Sequence, residues 1–234
     1  MEKKYLKAVT FSYDDSVTAD ARLSKIFKKY GLKATFNVIP KHTNPDVYRE
    51  EKGVKIRHLN VEDMGDTYEG HEIASHTINH PHLADMSYED AEKEIVESTK
   101  LAEELYNTKI AGFAYPFCNW SDETVDILRK HNFLYARAGY NTHSFDLQDN
   151  LLAFNPTCHH NDEKLFELAE KFINMECDEL KIFYVWGHAY EFDVDNNWDR
   201  IEKFCQIISG HDDIFYGTNK EVFELQKKYE TENK

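Results

Sequence analysis

The sequence predicts an α/β fold, with seven or eight βα units arranged as a barrel in one domain. Three observations predict it. Short β-rich runs alternate with longer amphipathic stretches along the whole chain. No Gly-rich phosphate loop follows the first strand, as an open dinucleotide-binding sheet would require. And 234 residues with 41% hydrophobic content, including 15 Phe, 14 Tyr and 3 Trp, are enough for one full core.

Lys7 to Tyr13 reads as the first strand. It feeds a helix from Thr18 to Tyr30, where Leu23, Ile26, Phe27 and Tyr30 recur at helical spacing and Gly31 offers the stop. Lys33 to Ile39 is the second strand. Residues 40–60 are polar, hold two prolines and show no period, which predicts a long loop or insertion that shapes substrate choice. His71 to Ser75 is a short strand. Ser87-Tyr-Glu-Asp90 resembles a capping box opening a helix to Tyr106, with Ala91, Ile95, Ala102 and Leu105 along one stripe. Strands over Ala111–Tyr115 and Phe133–Arg137 bracket a helix at Ser121–His131, and Leu151 to Phe154 reads as another strand. Helices over Asp162–Met175 and Asn196–Ser209 flank the strongly strand-like Lys181–Trp186. Asp213 to Tyr216 is the last strand, and Thr218-Asn-Lys-Glu221 caps the final helix.

Composition limits the partners. With 28 basic and 43 acidic residues the net charge is −15, which repels nucleic acid and anionic lipid headgroups, so neither is expected to bind. No run approaches the roughly 18 apolar residues of a membrane helix, and the start Met-Glu-Lys-Lys-Tyr-Leu-Lys has no signal-like apolar stretch. Cys118, Cys158, Cys177 and Cys205 form no CxxC pair and read as reduced thiols. The expectation is a soluble, cytoplasmic protein. The sequence carries no signal for its oligomeric state.

In barrels of this kind the reactive groups emerge from the C-terminal ends of the strands. Four segments fall there: Asp14-Asp15, His76-Thr-Ile-Asn-His80, Tyr115-Pro-Phe-Cys-Asn119 and Trp186-Gly-His188. Two imidazoles and one carboxylate can hold a zinc-like ion and leave room for water. A bound divalent ion lowers the pKa of water and polarises a carbonyl, so a neighbouring carboxylate need only take a proton. Two adjacent Asp side chains can divide that labour, one coordinating and the other acting as base.

Ser-Tyr-Asp14-Asp15-Ser, Gly70-His-Glu-Ile-Ala-Ser-His76-Thr-Ile-Asn-His80, Phe113-Ala-Tyr-Pro-Phe117 and Trp186-Gly-His188 resemble, in order and spacing, the successive motifs of polysaccharide deacetylases, carbohydrate esterase family 4. The resemblance covers roughly residues 5 to 190. It implies a distorted, TIM-like (β/α)7–8 barrel and metal-dependent removal of acetyl groups from N-acetylated sugars or acetylated xylan. Carried over by position, Asp14 resembles the catalytic base, and Asp15, His76 and His80 the metal ligands. The ion expected is zinc, with Co2+, Ni2+ or Mn2+ as alternatives. His188 fits a general acid, because an amine leaves poorly unless protonated. A backbone N–H near Phe117 is the expected oxyanion donor. Tyr115, Trp186 and Glu191 are expected near substrate.

Three departures from the family pattern stand out. Ser16 follows the Asp pair where relatives carry Gly. Ala114 occupies the place of a third-motif Arg that sets the state of the catalytic Asp in relatives, and Arg137 is the expected substitute. No clear fourth motif appears; Thr157-Cys-His-His160 falls where it would lie, and its histidines read as incidental. Asp193, like Glu191, is a candidate to orient His188 or meet sugar hydroxyls, and Trp120 and Trp198 are candidates to stack on sugar rings. The function expected is N-deacetylation of an acetylated saccharide. The alternatives are an O-acetyl esterase or small-molecule amidase with the same metal site, and a non-catalytic saccharide-binding protein.

Overall fold

The structure is a computed structural model describing residues 4–233. Met1 to Lys3, part of the start read as leader-free, and Lys234 lie outside the described residues. The first strand, β1 (Lys7–Asp14), is buried at all eight positions, as a central parallel strand covered on both faces must be. Helix α1 (Asp20–Lys29) follows, burying Leu23, Ile26 and Phe27 and placing Lys28 and Lys29 at its negative C-terminal end. Next come β2 (Thr35–Val38), the hairpin β3 (Tyr48–Glu51) and β4 (Val54–Arg57), α2 (Val61–Tyr68) and β5 (Glu72–Ser75). The middle of the chain holds α3 (Tyr88–Tyr106), β6 (Gly112–Ala114), α4 (Asp122–Lys130), β7 (Tyr135–Arg137) and β8 (Cys158–His159). The last part holds α5 (Leu165–Asn174), β9 (Lys181–Gly187), α6 (Glu191–Val194), α7 (Trp198–Ile208), β10 (Ile214–Tyr216) and α8 (Asn219–Glu232).

All strands except the hairpin form one parallel sheet of eight, in the order β7-β6-β5-β2-β1-β9-β8, with β10 joined to β1 beside Lys7–Val9. The sheet curls into a half-barrel ringed by helices, which agrees with the predicted fold class. Its two end strands, β7 and β8, are bridged by the segment between them: Ala138 N–H donates to Phe154 O, and Thr157 N–H to Tyr184 O. Inside, Tyr135, Phe154, Tyr184 and Phe223 pack together, while α1, α5 and α7 press Phe27, Phe172 and Phe204 onto the outer face. Helices α3 and α8 start at the predicted caps, and α4 at one the sequence reading did not name. Ser87 accepts from Asp90 N–H, and Ser121 with Thr124 and Thr218 with Glu221 form reciprocal capping boxes.

The structure differs from the sequence reading in several places, among them the short strand β8 and helix α6, which the sequence did not suggest. Residues 40–60 are not a featureless loop, because they contain the β3–β4 hairpin, turned at Lys52 and Gly53, both with positive φ. Its strands lack apolar alternation because most of their side chains face solvent. Helix α2 follows it unpredicted. The predicted strand at Leu151–Phe154 is a 3-10 turn over Leu151–Ala153, with one bridge from Phe154 to Arg137. No helix among the described residues is long and apolar enough to cross a membrane, and the four cysteines are free.

Candidate active site

The segments Asp14-Asp15, His76–His80, Tyr115–Asn119, Arg137 and Trp186–His188 all leave the same rim of the sheet. β1 ends at Asp14, and the chain then turns through two left-handed residues, Asp15 (φ 83°) and Ser16 (φ 53°), which swing the second carboxylate sideways. Glycine is the usual choice for such a position. Ser16 is tolerated because its Oγ accepts from Ile39 N–H at 3.0 Å and its carbonyl from Leu59 N–H at 2.7 Å, bonds that anchor the turn.

His76 follows β5 directly, and residues 77–80 form a tight turn with Thr77 and His80 at positive φ. Glu94 of α3 holds that turn, accepting from the backbone N–H groups of Ile78 and Asn79 at 3.1 and 2.9 Å. Nδ1 of His76 lies 2.8 Å from the carbonyl oxygen of Ala114, which can only accept, so Nδ1 carries the proton and Nε2 presents a lone pair. His80 Nε2 lies 3.1 Å from that atom, and Asp15 Oδ1 lies 3.7 and 3.6 Å from the two Nε2 atoms. Ligands about 2.0–2.1 Å from a tetrahedral zinc stand about 3.3 Å apart, so the three atoms need only small shifts to share one ion. Asp15 Oδ1 is buried without a hydrogen-bond partner, as a ligand atom would be. The residues present fit a divalent cation.

Asp14, 2% exposed, sits beside this group. Its Oδ1 accepts from Asn37 Nδ2 at 2.7 Å and its Oδ2 from Arg137 Nη2 at 2.5 Å. Burial pushes the carboxyl upward, but Arg137, then His76, His188 and Asn37, more than reverse this and hold it below its ordinary value. Arg137 is the in-register neighbour of Ala114 in the β6–β7 pairing, so the cation missing from β6 arrives from the next strand at the same level. It is 1% exposed and lies 4.5 Å from the Trp186 ring.

On the far side of Asp14 stands His188, its Nε2 3.8 Å from Asp14 Oδ2 and its Nδ1 3.4 Å from Glu191 Oε1. Burial pushes this imidazole down, and Glu191 followed by Asp15 and Asp14 lift it to about 9. Glu191 Oε2 also meets His159 Nε2 at 3.0 Å and His160 Nε2 at 3.1 Å. Although burial raises it, these three histidines hold the Glu191 carboxyl well below the usual carboxylate range. His80 is pushed down to about 4, first by burial and then by His76.

The groups border a cavity of about 670 Å3 that also takes in Phe117, Tyr115, Trp186 and Tyr190. Phe117, at φ 54° and 56% exposed, stacks on His82 at 4.1 Å. Tyr115 is buried, with its hydroxyl donating to Leu152 O, so only part of it reaches the cavity. Glu191 stands behind His188 rather than in the lining. Trp198 is buried under Arg22, with Asp193 accepting from its Nε1, and Trp120 lies outside the lining against Tyr115. The sequence reading missed Asn37, whose only signal is its place in β2, and the cavity residues His42, Arg49 and His58, which the 40–60 segment brings in. It also set aside His159 and His160, which β8 aims at Glu191.

Fold and geometry define a parallel half-barrel protein with a cluster of carboxylates and imidazoles at its strand ends. The chain belongs to the polysaccharide deacetylase family, whose model it matches over residues 2–136. Among curated proteins it is 29% identical to YxkH of Bacillus subtilis over 129 residues, 54% of this chain and 43% of that protein. It is 28% identical to the peptidoglycan deacetylase of Helicobacter pylori over 114 residues, 49% of this chain and 34% of that one. It thus spans less than half the length of the curated relatives it matches. Among solved structures, a Mycobacterium smegmatis protein superposes with a TM-score of 0.69 at 15% identity, covering 100% of this chain and 93% of that one. Streptococcus pyogenes deacetylase PplD, in complex with acetate, is 27% identical with a TM-score of 0.51, covering 62% and 61%. A Clostridium thermocellum family 4 acetyl xylan esterase carrying a cobalt ion superposes at 0.59 with 19% identity, over 94% and 92%.

Proposed function

We propose that this chain is a divalent-metal-dependent deacetylase that hydrolyses the N-acetyl amide of a saccharide to acetate and a free amine, acting as one catalytic domain. The observation that carries the reading is the convergence of Asp15 Oδ1, His76 Nε2 and His80 Nε2 beside a buried Asp14 that is paired with Arg137 and Asn37. Asp15, His76 and His80 would hold the ion, zinc by its fit to two imidazoles and a carboxylate, with Co2+, Ni2+ or Mn2+ as substitutes. When bound, that ion supplies Lewis acidity and makes its water acidic near neutral pH.

The remaining work falls to the protein's own side chains. Asp14, kept ionised by Arg137, takes the proton of the attacking water. A backbone N–H near Phe117 would serve as the oxyanion donor. His188, held protonated by Glu191, would give its proton to the leaving nitrogen. That acid favours the amide over the ester reading, because an alkoxide leaves with less help. Trp186 and Phe117 offer ring faces to sugar. The test is acetate release from N-acetylated chitooligosaccharides and from acetylated xylan by zinc-loaded protein. Chelation is expected to abolish release and zinc to restore it. Saccharide binding with no acetate released from any substrate would replace this reading with that of a binding protein.

A further inference from the structure

The hairpin β3–β4 brings a cation to the mouth of the cavity in an otherwise acidic molecule. Positions 41–58 hold five of the chain's 28 basic residues and three of its 43 acidic ones, against a net charge of −15 overall. Strand register decides which of them faces inward. Arg49 pairs with Ile56, 4% exposed, on the inner face, whereas Lys55 and Arg57 lie over the Tyr48 ring on the outer face at 4.6 and 4.8 Å.

Arg49 stacks on Tyr190 at 4.3 Å and lines the cavity. Its Nη2 stands 3.5 Å from Asp15 Oδ2, and its Nη1 3.3 Å from Glu51. Both separations exceed the roughly 2.7–2.9 Å of a tight charge-assisted bond, and the side chain is half exposed, so neither carboxylate holds it firmly. The inference rests on the metal-centre reading above. With a divalent cation in place, Asp14 and Asp15 face two guanidiniums and a doubly charged ion, and the local charge becomes positive. A positive cavity in a negative protein selects an anionic ligand.

We propose that Arg49, braced by Tyr190, is a recognition site for an anionic substituent, carboxylate or phosphate, on the acetylated saccharide, carried by the reacting ring or the one next to it. A planar guanidinium fits either group through paired N–H donors, whereas a neutral sugar leaves that pairing unused.

The experiment uses zinc-loaded protein carrying Asp14→Asn, so that bound sugar is not consumed. Calorimetry measures its affinity for N-acetylglucosamine disaccharides that are unmodified, bear a 3-O-lactyl carboxylate, or bear a 6-phosphate. At least one anionic form is expected to bind about tenfold more tightly than the neutral one. The tighter of the two identifies the group recognised. Arg49→Ala is expected to erase the preference and Arg49→Glu to reverse it. Equal affinity for all three sugars, or a preference that survives Arg49→Ala, overturns the proposal. Failure of the deacetylase reading is separately visible, as absence of acetate release by protein that retains Asp14.

Discussion

Arg137 and Asp14 lie 123 positions apart in sequence and meet at 2.5 Å, with side chains only 1% and 3% exposed. The contact exists because β7 lies in register beside β6, placing Arg137 next to Ala114. A buried carboxylate is costly alone, so this pair ties the state of the proposed base to the integrity of the sheet.

Arg137→Ala is therefore expected to destabilise the protein by about 3–5 kcal/mol, measured by urea unfolding, and to reduce acetate release roughly 100-fold or more. Because the folded-state pKa of Asp14 is depressed, the pair's stabilisation is complete above the ordinary carboxylate pKa and lost as pH falls through the lower folded value. The substitution should flatten that acid limb of stability. An unchanged unfolding midpoint would show that the pair contributes nothing.

Deleting the proposed acid separates substrates by leaving group. His188→Ala is expected to lower amide hydrolysis by about 100-fold or more and hydrolysis of a matched acetyl ester by distinctly less. Equal losses on both would remove His188 from the acid's role.

The alkaline limb of amide hydrolysis should report the same imidazole. His188 titrates near 9 because Glu191, Asp15 and Asp14 outweigh burial. Glu191→Gln removes one of those lifts, so the limb should move to lower pH while the acid limb set by Asp14 stays. A profile that keeps its alkaline limb would mean that Glu191 does not set the charge of His188.

Gly187 tests the network from behind. A Cβ there would lie 2.1 Å from His160 Nδ1, and that ring is stacked between Tyr13 and Phe192 with no room to retreat. Gly187→Ala is expected to cost about 1–3 kcal/mol and to impair amide hydrolysis by disturbing Glu191. Gly65→Ala, in α2 with nothing within 4 Å, should be neutral or stabilising by up to about 1 kcal/mol in the same denaturation assay.

Much of this was legible in the sequence, for reasons that differ by element. β1, β9 and α1 were readable because burial imposes apolar runs and helical spacing on their residues. Asp14, Asp15, His76 and His80 were readable because local spacing alone brings each pair to one strand end. Arg137 was inferred from the absence of a cation at Ala114, but its exact partner depended on strand register, which no local pattern encodes. The 40–60 segment resisted because its hairpin faces solvent and carries no apolar alternation. His159 and His160 looked incidental because their partner, Glu191, lies more than thirty positions away on another element.

All of the proposed chemistry turns on where the cation binds. Crystals soaked in zinc, with diffraction recorded on both sides of the zinc absorption edge, locate it directly. One strong anomalous peak is expected about 2.0–2.2 Å from Asp15, His76 and His80, with Asp14 close by but not bound. A peak lodged instead among His159, His188 and Glu191, the other donor cluster among the described residues, or none near Asp15, would contradict this placement.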